Sequence, residues 1–264
     1  MFILGVCLTA GIGIGLFAVP GRTAEYWAWT IKAPLTAAFF GAGYIGAAVA
    51  LSWGAATREW QRVRTVVVIA LTLTSLALLD TLRHLGGFSF HAGGLVEVVA
   101  WFWLAVYIAL PPLLAVAFVL QERGGGAHEY GVDRPALPGS RLAAAVAGAM
   151  SAIVGVLLLG ELSWLRTRWP WPLPSLPATI MGAWLCTVGS GLLWFALRER
   201  TWYRARIGVI AMLVPLGLDL VAAARLSGGF RGTTATSVYL VAAAVLTAVI
   251  GAVAIVEERR PTPR

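Results

Sequence analysis

The chain alternates long apolar runs with short polar segments, and the runs have the length of membrane spans. A helix needs about 20 apolar residues to cross the hydrocarbon core of a bilayer. Eight runs qualify: residues 1–20, 34–54, 65–85, 95–121, 141–160, 177–197, 207–225 and 234–256. Lipid permits only helices and closed barrels, and the runs lack the two-residue alternation of a barrel strand. We therefore predict an all-α membrane protein with eight transmembrane helices.

Two of these runs belong to segments that resemble each other. Residues 58–88 and 200–230 have 12 identical positions of 31, without a gap, at a constant offset of 142. The pattern R-x-W-x-R-x-R precedes each run and R-x-x-G-G-F follows it, and composition alone does not produce such ends. We interpret the pair as an internal duplication. Four spans per copy give both copies one orientation, which predicts two parallel four-helix repeats related by an axis along the membrane normal.

The duplication divides the chain into three parts. Residues 1–121 form transmembrane repeat 1 with helices 1–4, and residues 141–264 form repeat 2 with helices 5–8 and a short cytoplasmic tail. Residues 122–140 are the one long polar stretch, rich in glycine and proline, and we predict a flexible cytoplasmic linker there.

Composition and charge agree with a protein integral to the cell membrane. The chain is 59% hydrophobic and 12% charged, whereas soluble domains are about one quarter charged. The net charge of +8 comes from short arginine clusters between apolar runs, a pattern typical of loops that attract anionic lipid headgroups. No basic domain stands apart from the runs, so we predict no nucleic-acid partner. Another membrane protein stays open as a partner.

The distribution of cations predicts that both termini are cytoplasmic. That orientation leaves thirteen arginines inside and seven cations outside, as the positive-inside rule requires. The inner set is Arg58, Arg62, Arg64, Arg123, Arg134, Arg141, Arg198, Arg200, Arg204, Arg206, Arg259, Arg260 and Arg264. The outer set is Arg22, Lys32, Arg83, Arg166, Arg168, Arg225 and Arg231. The first run lacks a basic segment before it, so we expect a spanning helix and not a cleaved signal.

Seven of the twelve tryptophans lie near the outer ends of the runs, which is typical of an aromatic belt at headgroup level. They are Trp27, Trp29, Trp101, Trp103, Trp164, Trp169 and Trp171. Residues 169–174 contain three prolines and are too proline-rich for a helix. We expect a stiff extended segment on the outer surface, with a platform for an aromatic substrate as the alternative.

Charged residues inside a membrane are costly, and Asp80 is the main case. Arg83 and His84 follow at helical spacings that place both on the face of Asp80. The three residues either neutralise one another or belong to a site. Arg83 recurs in the second copy as Arg225, whereas Asp80 and His84 are replaced there by apolar residues. We expect shared residues to serve the fold and residues present in one copy to be candidates for function.

Further polar residues near the outer ends extend this candidate site. The predicted outward-facing cluster is Asp80, Arg83, His84, His91, Glu97, Glu161, Asp219 and Arg225. Glu97 also has a structural explanation, because a carboxylate at a helix N-terminus is stabilised by the helix dipole. The inner halves of the helices show no equivalent polar residues, so a site is expected to open outward.

No cofactor, metal site or catalytic motif is predicted. Cys7 and Cys186 lie inside apolar runs and fit neither a disulfide framework nor a C-x-x-C site. Only His84 and His91 lie on the side where a haem or metal would need them, separated by a Gly-Gly turn. Internal repeats and intramembrane carboxylates favour a transporter or permease-like protein with a site at the repeat interface. A non-catalytic membrane sensor or assembly partner is the alternative, and a membrane enzyme acting on lipid-linked or redox substrates has less support.

Overall fold

The computed structural model describes residues 2–57, 59–124 and 134–260, and these ranges are helical apart from turns and loops. A single bridge between Pro135 and Thr201 is the only β-type pairing in them. The helices in chain order are α1 (Phe2–Ala18), α2 (Thr23–Tyr26), α3 (Pro34–Ala55), α4 (Trp60–Arg83), α5 (Gly94–Arg123), α6 (Pro138–Leu159), α7 (Ser163–Arg168), α8 (Ser175–Trp194), α9 (Trp202–Arg225) and α10 (Thr234–Glu258). A π-helical turn, Phe195–Glu199, extends α8.

Seven of the described helices are long and apolar enough to cross a membrane: α3, α4, α5, α6, α8, α9 and α10. Helix α1 has 17 residues and meets this criterion only together with the segment Pro20–Tyr26, which is bent by 95° against it. The prediction of an all-α, multi-pass membrane protein is confirmed, with seven spans or eight if the bent pair counts as one. The helices begin and end within five residues of the predicted apolar runs.

Four helices, α3, α4, α8 and α9, form the interior of the bundle. Helix α3 packs on α9 and α4 packs on α8, while α4 and α9 also contact each other. The other four long helices lie outside this group, with α1 on α3, α6 on α8, α5 on α4 and α10 on α9. Helices α5 and α10 leave most of their apolar surface exposed, as expected of helices that face lipid.

Glycines bring the outer helices into backbone contact with the inner ones. A Cβ atom at Gly41 of α3 would lie 2.8 Å from the carbonyl oxygen of Gly13 in α1. A Cβ atom at Gly182 of α8 would lie 2.6 Å from the carbonyl oxygen of Gly155 in α6. Neither position has room for a side chain, so these interfaces are of the small-residue type common between membrane helices.

At one end of the bundle, which we name the arginine end, the R-x-W-x-R-x-R motifs fasten the helix termini. In each motif a tryptophan and an arginine contact the glutamate near the end of α5 or α10. The two sets are Trp60, Arg64 and Glu122, and Trp202, Arg206 and Glu258. The indole Nε1 donates to the glutamate at 2.7 Å in the first set and 2.9 Å in the second. The guanidinium lies 3.1 and 2.5 Å from the carboxylate.

Arg64 makes a second ion pair that Arg206 does not share. Its Nε and Nη2 atoms each donate at 2.7 Å to the carboxylate of Glu199, which is buried at the end of α8. The indole of Trp194 donates to the same carboxylate at 2.7 Å. Polar residues therefore do lie at the arginine end of the helices, where the sequence predicts no polar residues equivalent to those at the other end, and they form a structural network.

At the opposite end, which we name the aromatic end, the chain forms two aromatic clusters of matching geometry. The first is Trp27, Trp29, Phe88 and Trp103, and the second is Trp169, Trp171, Phe230 and Tyr239. The central rings, Trp29 and Trp171, lie 5.0 Å from Trp103 and Tyr239 respectively, at interplanar angles of 85° and 87°. Edge-to-face packing of this kind stabilises aromatic pairs beyond the area they bury.

These clusters correct the interpretation of the tryptophans. All five tryptophans in them are buried, so the expectation of a lipid-facing belt is wrong for them. Residues 169–174 are non-helical as predicted, but Trp169 and Trp171 lie inside the protein and not on its surface. Trp101 and Trp164 are each 50% exposed, and for these two residues a position in an aromatic belt stays a prediction.

Candidate functional site

His84 is the centre of a polar cluster at the aromatic end. It follows the last residue of α4, and its backbone N–H donates to the carbonyl of Asp80 at 3.0 Å, which fixes its position at the helix terminus. The ring Nδ1 lies 3.0 Å from Asp80 Oδ1 and 3.1 Å from the Asp80 carbonyl oxygen. The ring Nε2 lies 3.2 Å from Ser175 Oγ and 3.4 Å from Glu161 Oε1. One imidazole thus connects the end of α4 with the start of α8 and the turn after α6.

Glu161 is held in this turn in an unusual backbone conformation, with a φ of 54°. The hydroxyl of Ser175 donates to its Oε2, and Arg166 Nη1 lies 3.4 Å from the same oxygen. The hydrogen bond from Ser175, followed by the charges of His84 and Arg166, lowers the pKa of Glu161 below its usual range. Glu161 is therefore anionic at neutral pH, and His84 lies between two carboxyl groups.

The predicted triad is a buried pair with a separate arginine beside it. Asp80 is 1% exposed and lies in contact with His84, so the spacing of four residues predicted this contact correctly. Arg83 is exposed, and its Nη1 makes a 3.4 Å hydrogen bond to the carbonyl of Leu159. No carboxylate of the described residues lies within 4 Å of Arg83. Its charge is available to a cleft next to the cluster.

This cleft has a volume of about 520 Å³ and lies between the end of α4, the start of α8 and the loop before α3. Its polar lining consists of Thr30, Lys32, Arg83, His84 and Ser175. Trp29, Leu176 and two prolines that flank the start of α8 supply apolar walls. The described lining contains two exposed cations, Lys32 and Arg83, and no carboxylate, while Glu161 lies next to it in contact with Ser175 and His84.

The other four predicted site residues lie in different surroundings. Asp219 in α9 accepts a 2.5 Å hydrogen bond from the Tyr239 hydroxyl and so belongs to the second aromatic cluster. Arg225 packs over the ring of Phe17 and donates to its carbonyl oxygen.

Glu97 accepts a 2.9 Å hydrogen bond from the backbone N–H of Gly93, and it serves as the cap that the helix-dipole argument suggested. His91 is exposed in the turn before α5. Within the described chain, neither of these residues nor Asp219 or Arg225 reaches hydrogen-bonding or ion-pair distance of His84.

The polar residues of the cleft differ in how they repeat in the other half of the chain. At the offset of 142, Arg83 recurs as Arg225, whereas His84 corresponds to Leu226. At the start of α3 the offset is 143, because Pro34 corresponds to Pro177, and Lys32 then corresponds to Ser175. Sequence reasoning missed Lys32 and Ser175 as site residues.

Neither cysteine forms a disulfide: Cys7 is exposed and Cys186 is buried in α8 against α6. In the part of the chain that the structure describes, no group of three or more His, Cys, Asp and Glu side chains is arranged to hold a metal ion. Comparison of the chain with models of known protein families, with curated proteins and with solved structures gave no match.

Proposed function

We propose that this chain is a permease-like membrane protein built from two parallel four-helix copies, with a ligand site in the cleft between them at the outer face. The observation that carries the proposal is the position of His84. This residue ends a helix of the first copy, contacts Ser175 and Glu161 of the second, and lines a cleft large enough for a small molecule.

The two-copy arrangement is supported by features that repeat along the chain. Each half has the order long helix, short helix, long helix, long helix, three-residue 3-10 turn, long helix. An aromatic cluster and a Trp–Arg–Glu set occur once in each half, and glycine contacts join the first and third helices of each half, Gly13 with Gly41 and Gly155 with Gly182. A loop hydrogen bond also repeats at the offset of 142, from Ser89 N to Ala28 O at 2.9 Å and from Arg231 N to Pro170 O at 2.8 Å. The proposed copies are residues 1–121 and 141–264, and residues 125–133 of the linker between them lie outside the described residues.

The orientation with both termini cytoplasmic is also a proposal, and it puts the aromatic end outside. It leaves the arginine clusters next to anionic lipid on the inner side. Four arginines at this end, Arg62, Arg64, Arg206 and Arg260, are also paired with carboxylates of the protein.

Residues that occur in both copies and residues that occur in only one copy have different contacts, and this difference favours a ligand site over a purely structural cluster. Arg64, Trp60 and their equivalents in the second copy hold helix ends together. Asp80 and His84, which have no polar equivalents, meet beside the cleft. A buried carboxylate within a membrane costs several kcal/mol. A role of Asp80 in an outward-facing site would explain why the chain carries a carboxylate at this position despite that cost.

A permease also needs polar positions across the bundle, and α4 provides some of them. Its buried side chains include Thr81, Thr74 and Thr65 in addition to Asp80, so hydroxyls occur along most of the helix. Thr65 Oγ1 is buried near the arginine end and has no hydrogen-bond partner among the described residues. These groups could hydrogen-bond a ligand or water during alternating access.

The test compares Asp80→Asn with Asp219→Asn in proteoliposomes. Both residues are buried aspartates, but only Asp80 contacts His84, which lines the cleft. We measure uptake of a panel of organic anions, cations and neutral solutes, together with thermal unfolding in detergent. Asp80→Asn is expected to reduce uptake of the transported class at least tenfold with a near-normal folded yield, and Asp219→Asn to reduce stability without this loss of uptake.

Two results would contradict the proposal. If wild-type protein takes up none of the solute classes faster than empty liposomes do, the proposal of a permease is wrong. Equal losses of stability in both variants, with uptake unchanged, would assign the polar cluster to folding and favour the non-catalytic assembly alternative.

A further inference from the structure

We propose that the cleft binds an amphiphilic anion, a phosphate or carboxylate head joined to an apolar body. This inference rests on the proposed function, because it names the class of ligand for the same site. Three features point to this ligand: the charges of the lining, the apolar walls, and the start of α8 among the lining residues.

The charges select an anion. Lys32 and Arg83 both line the cleft, both are exposed, and neither has a carboxylate within 4 Å among the described residues. His84 also lines it, but its two ring nitrogens already lie 3.0 Å from Asp80 Oδ1 and 3.4 Å from Glu161 Oε1. Two exposed cations, one of them an arginine that can bind bidentately, are suited to phosphate or carboxylate, and Arg83 also attracts the nearby carboxylate of Glu161.

The helix terminus points to the same class of ligand. Helix α8 has 20 residues and begins at Ser175, which lines the cleft with Leu176. The first backbone N–H groups of a helix have no partner within it, which at α8 leaves those of Ser175 and Leu176, since Pro177 has none, and the helix dipole places partial positive charge there. An anion between Lys32 and Arg83 would lie beside this terminus.

The walls require more than a bare inorganic ion. The volume of about 520 Å³ lies in the range of sites for drug-sized molecules. Trp29 and Leu176 line it together with the prolines around Ser175, so a large part of the surface is apolar. A head held by the cations leaves these walls to an alkyl or aromatic body. The head could belong to a membrane lipid or to a free organic anion, because both present this chemistry.

The experiment measures binding by isothermal titration calorimetry with the full chain in an uncharged detergent. The probes are dioctanoyl phosphatidylglycerol, octyl phosphate, inorganic phosphate and zwitterionic dioctanoyl phosphatidylcholine. The variants are Lys32→Gln, Arg83→Gln and the double variant. Arg168→Gln is the matched control, because Arg168 is an exposed cation at the same end of the bundle and does not line the cleft.

We expect the anionic amphiphiles to bind, and each single substitution at Lys32 or Arg83 to raise Kd about tenfold, the usual effect of removing a charged hydrogen bond. The double variant should bind about 100-fold more weakly, and Arg168→Gln should bind within about twofold of wild type. Added salt should weaken binding, because the cations are exposed. Tighter binding of phosphatidylglycerol than of octyl phosphate identifies lipid as the source, and the reverse order identifies a free anion.

Other outcomes overturn the proposal. Equal affinity for the zwitterionic probe, or unchanged affinity in the double variant, would show that the cleft does not select an anion. If inorganic phosphate binds as tightly as octyl phosphate, the apolar walls do not contribute to binding and the ligand needs no apolar body. Loss of the anion preference with transport intact would contradict only this inference, whereas anion binding without transport would contradict only the permease proposal.

Discussion

A methyl group added at Gly41 tests the helix packing most directly. In Gly41→Ala the new Cβ would lie 2.5 Å from Phe17 N and 2.8 Å from Gly13 O, where atoms in contact normally lie 3.5–4.0 Å apart. Both are backbone atoms of a helix and cannot move alone, so α1 must shift away from α3 by about 1 Å. Overpacking of this kind costs about 1–3 kcal/mol, and the higher helix propensity of alanine returns about 1 kcal/mol. The net expectation is a loss of up to about 2 kcal/mol.

The chain supplies its own controls for this prediction. Gly182→Ala places a Cβ 2.6 Å from Gly155 O and should cost a similar amount. Gly11→Ala in α1 meets no atom within 4 Å and should be neutral or slightly stabilising. Thermal unfolding in detergent measures all three variants. If Gly41→Ala unfolds at the same temperature as Gly11→Ala, the close backbone approach is absent. If only one of the two crowded glycines responds, the packing is not equivalent in the two halves.

Two further predictions concern the arginine end and the orientation. Glu199→Gln should lower the free energy of unfolding by about 3 kcal/mol, because it leaves the largely buried guanidinium of Arg64 without its buried carboxylate. Glu258→Gln should lower it by at most about 1 kcal/mol, because the Glu258 side chain is 36% exposed. Equal losses for the two variants in denaturation experiments would contradict the view that Arg64–Glu199 is the stronger of the two ion pairs. With both native cysteines replaced by alanine, a membrane-impermeant thiol reagent added outside should modify Arg168→Cys and not Gly124→Cys, and the reverse pattern would invert the proposed topology.

The spans were predictable from the sequence because their signal is local. Lipid requires each apolar run to satisfy its own backbone, so run length alone placed the helix ends within five residues. The direction in which the tryptophan rings face was not predictable in this way. Trp29 and Trp171 lie in polar-flanked loops next to helix ends, and that context is the same for a lipid-facing belt and for a buried cluster. The two cases differ only in whether the loop folds so that its tryptophan side chains pack inside the protein, as they do here.

Only those contacts of the candidate site that lie within one helix were predictable from the sequence. The contact of Asp80 with His84 follows from a spacing of four residues on α4. Arg83, one position earlier, faces the cleft and not the carboxylate. Ser175 and Lys32 come from a different helix and a loop, so their approach to His84 or to the cleft depends on how α4 packs on α8. Spacing within one helix cannot report that packing.

The two shared arginines show how one frame can carry a single site. Arg83 and Arg225 occupy equivalent positions at the ends of α4 and α9, and the residues that follow them form equivalent 3-10 turns. Each donates to the carbonyl oxygen of an equivalent residue, Arg83 to Leu159 and Arg225 to Phe17, which lie 142 positions apart. Arg83 also lines the cleft, together with Lys32 and His84. In the proposed two-copy frame, repetition therefore supplies the helix packing and the position of Arg83, and neighbouring residues that differ between the copies make one of the two loop–helix junctions a candidate site.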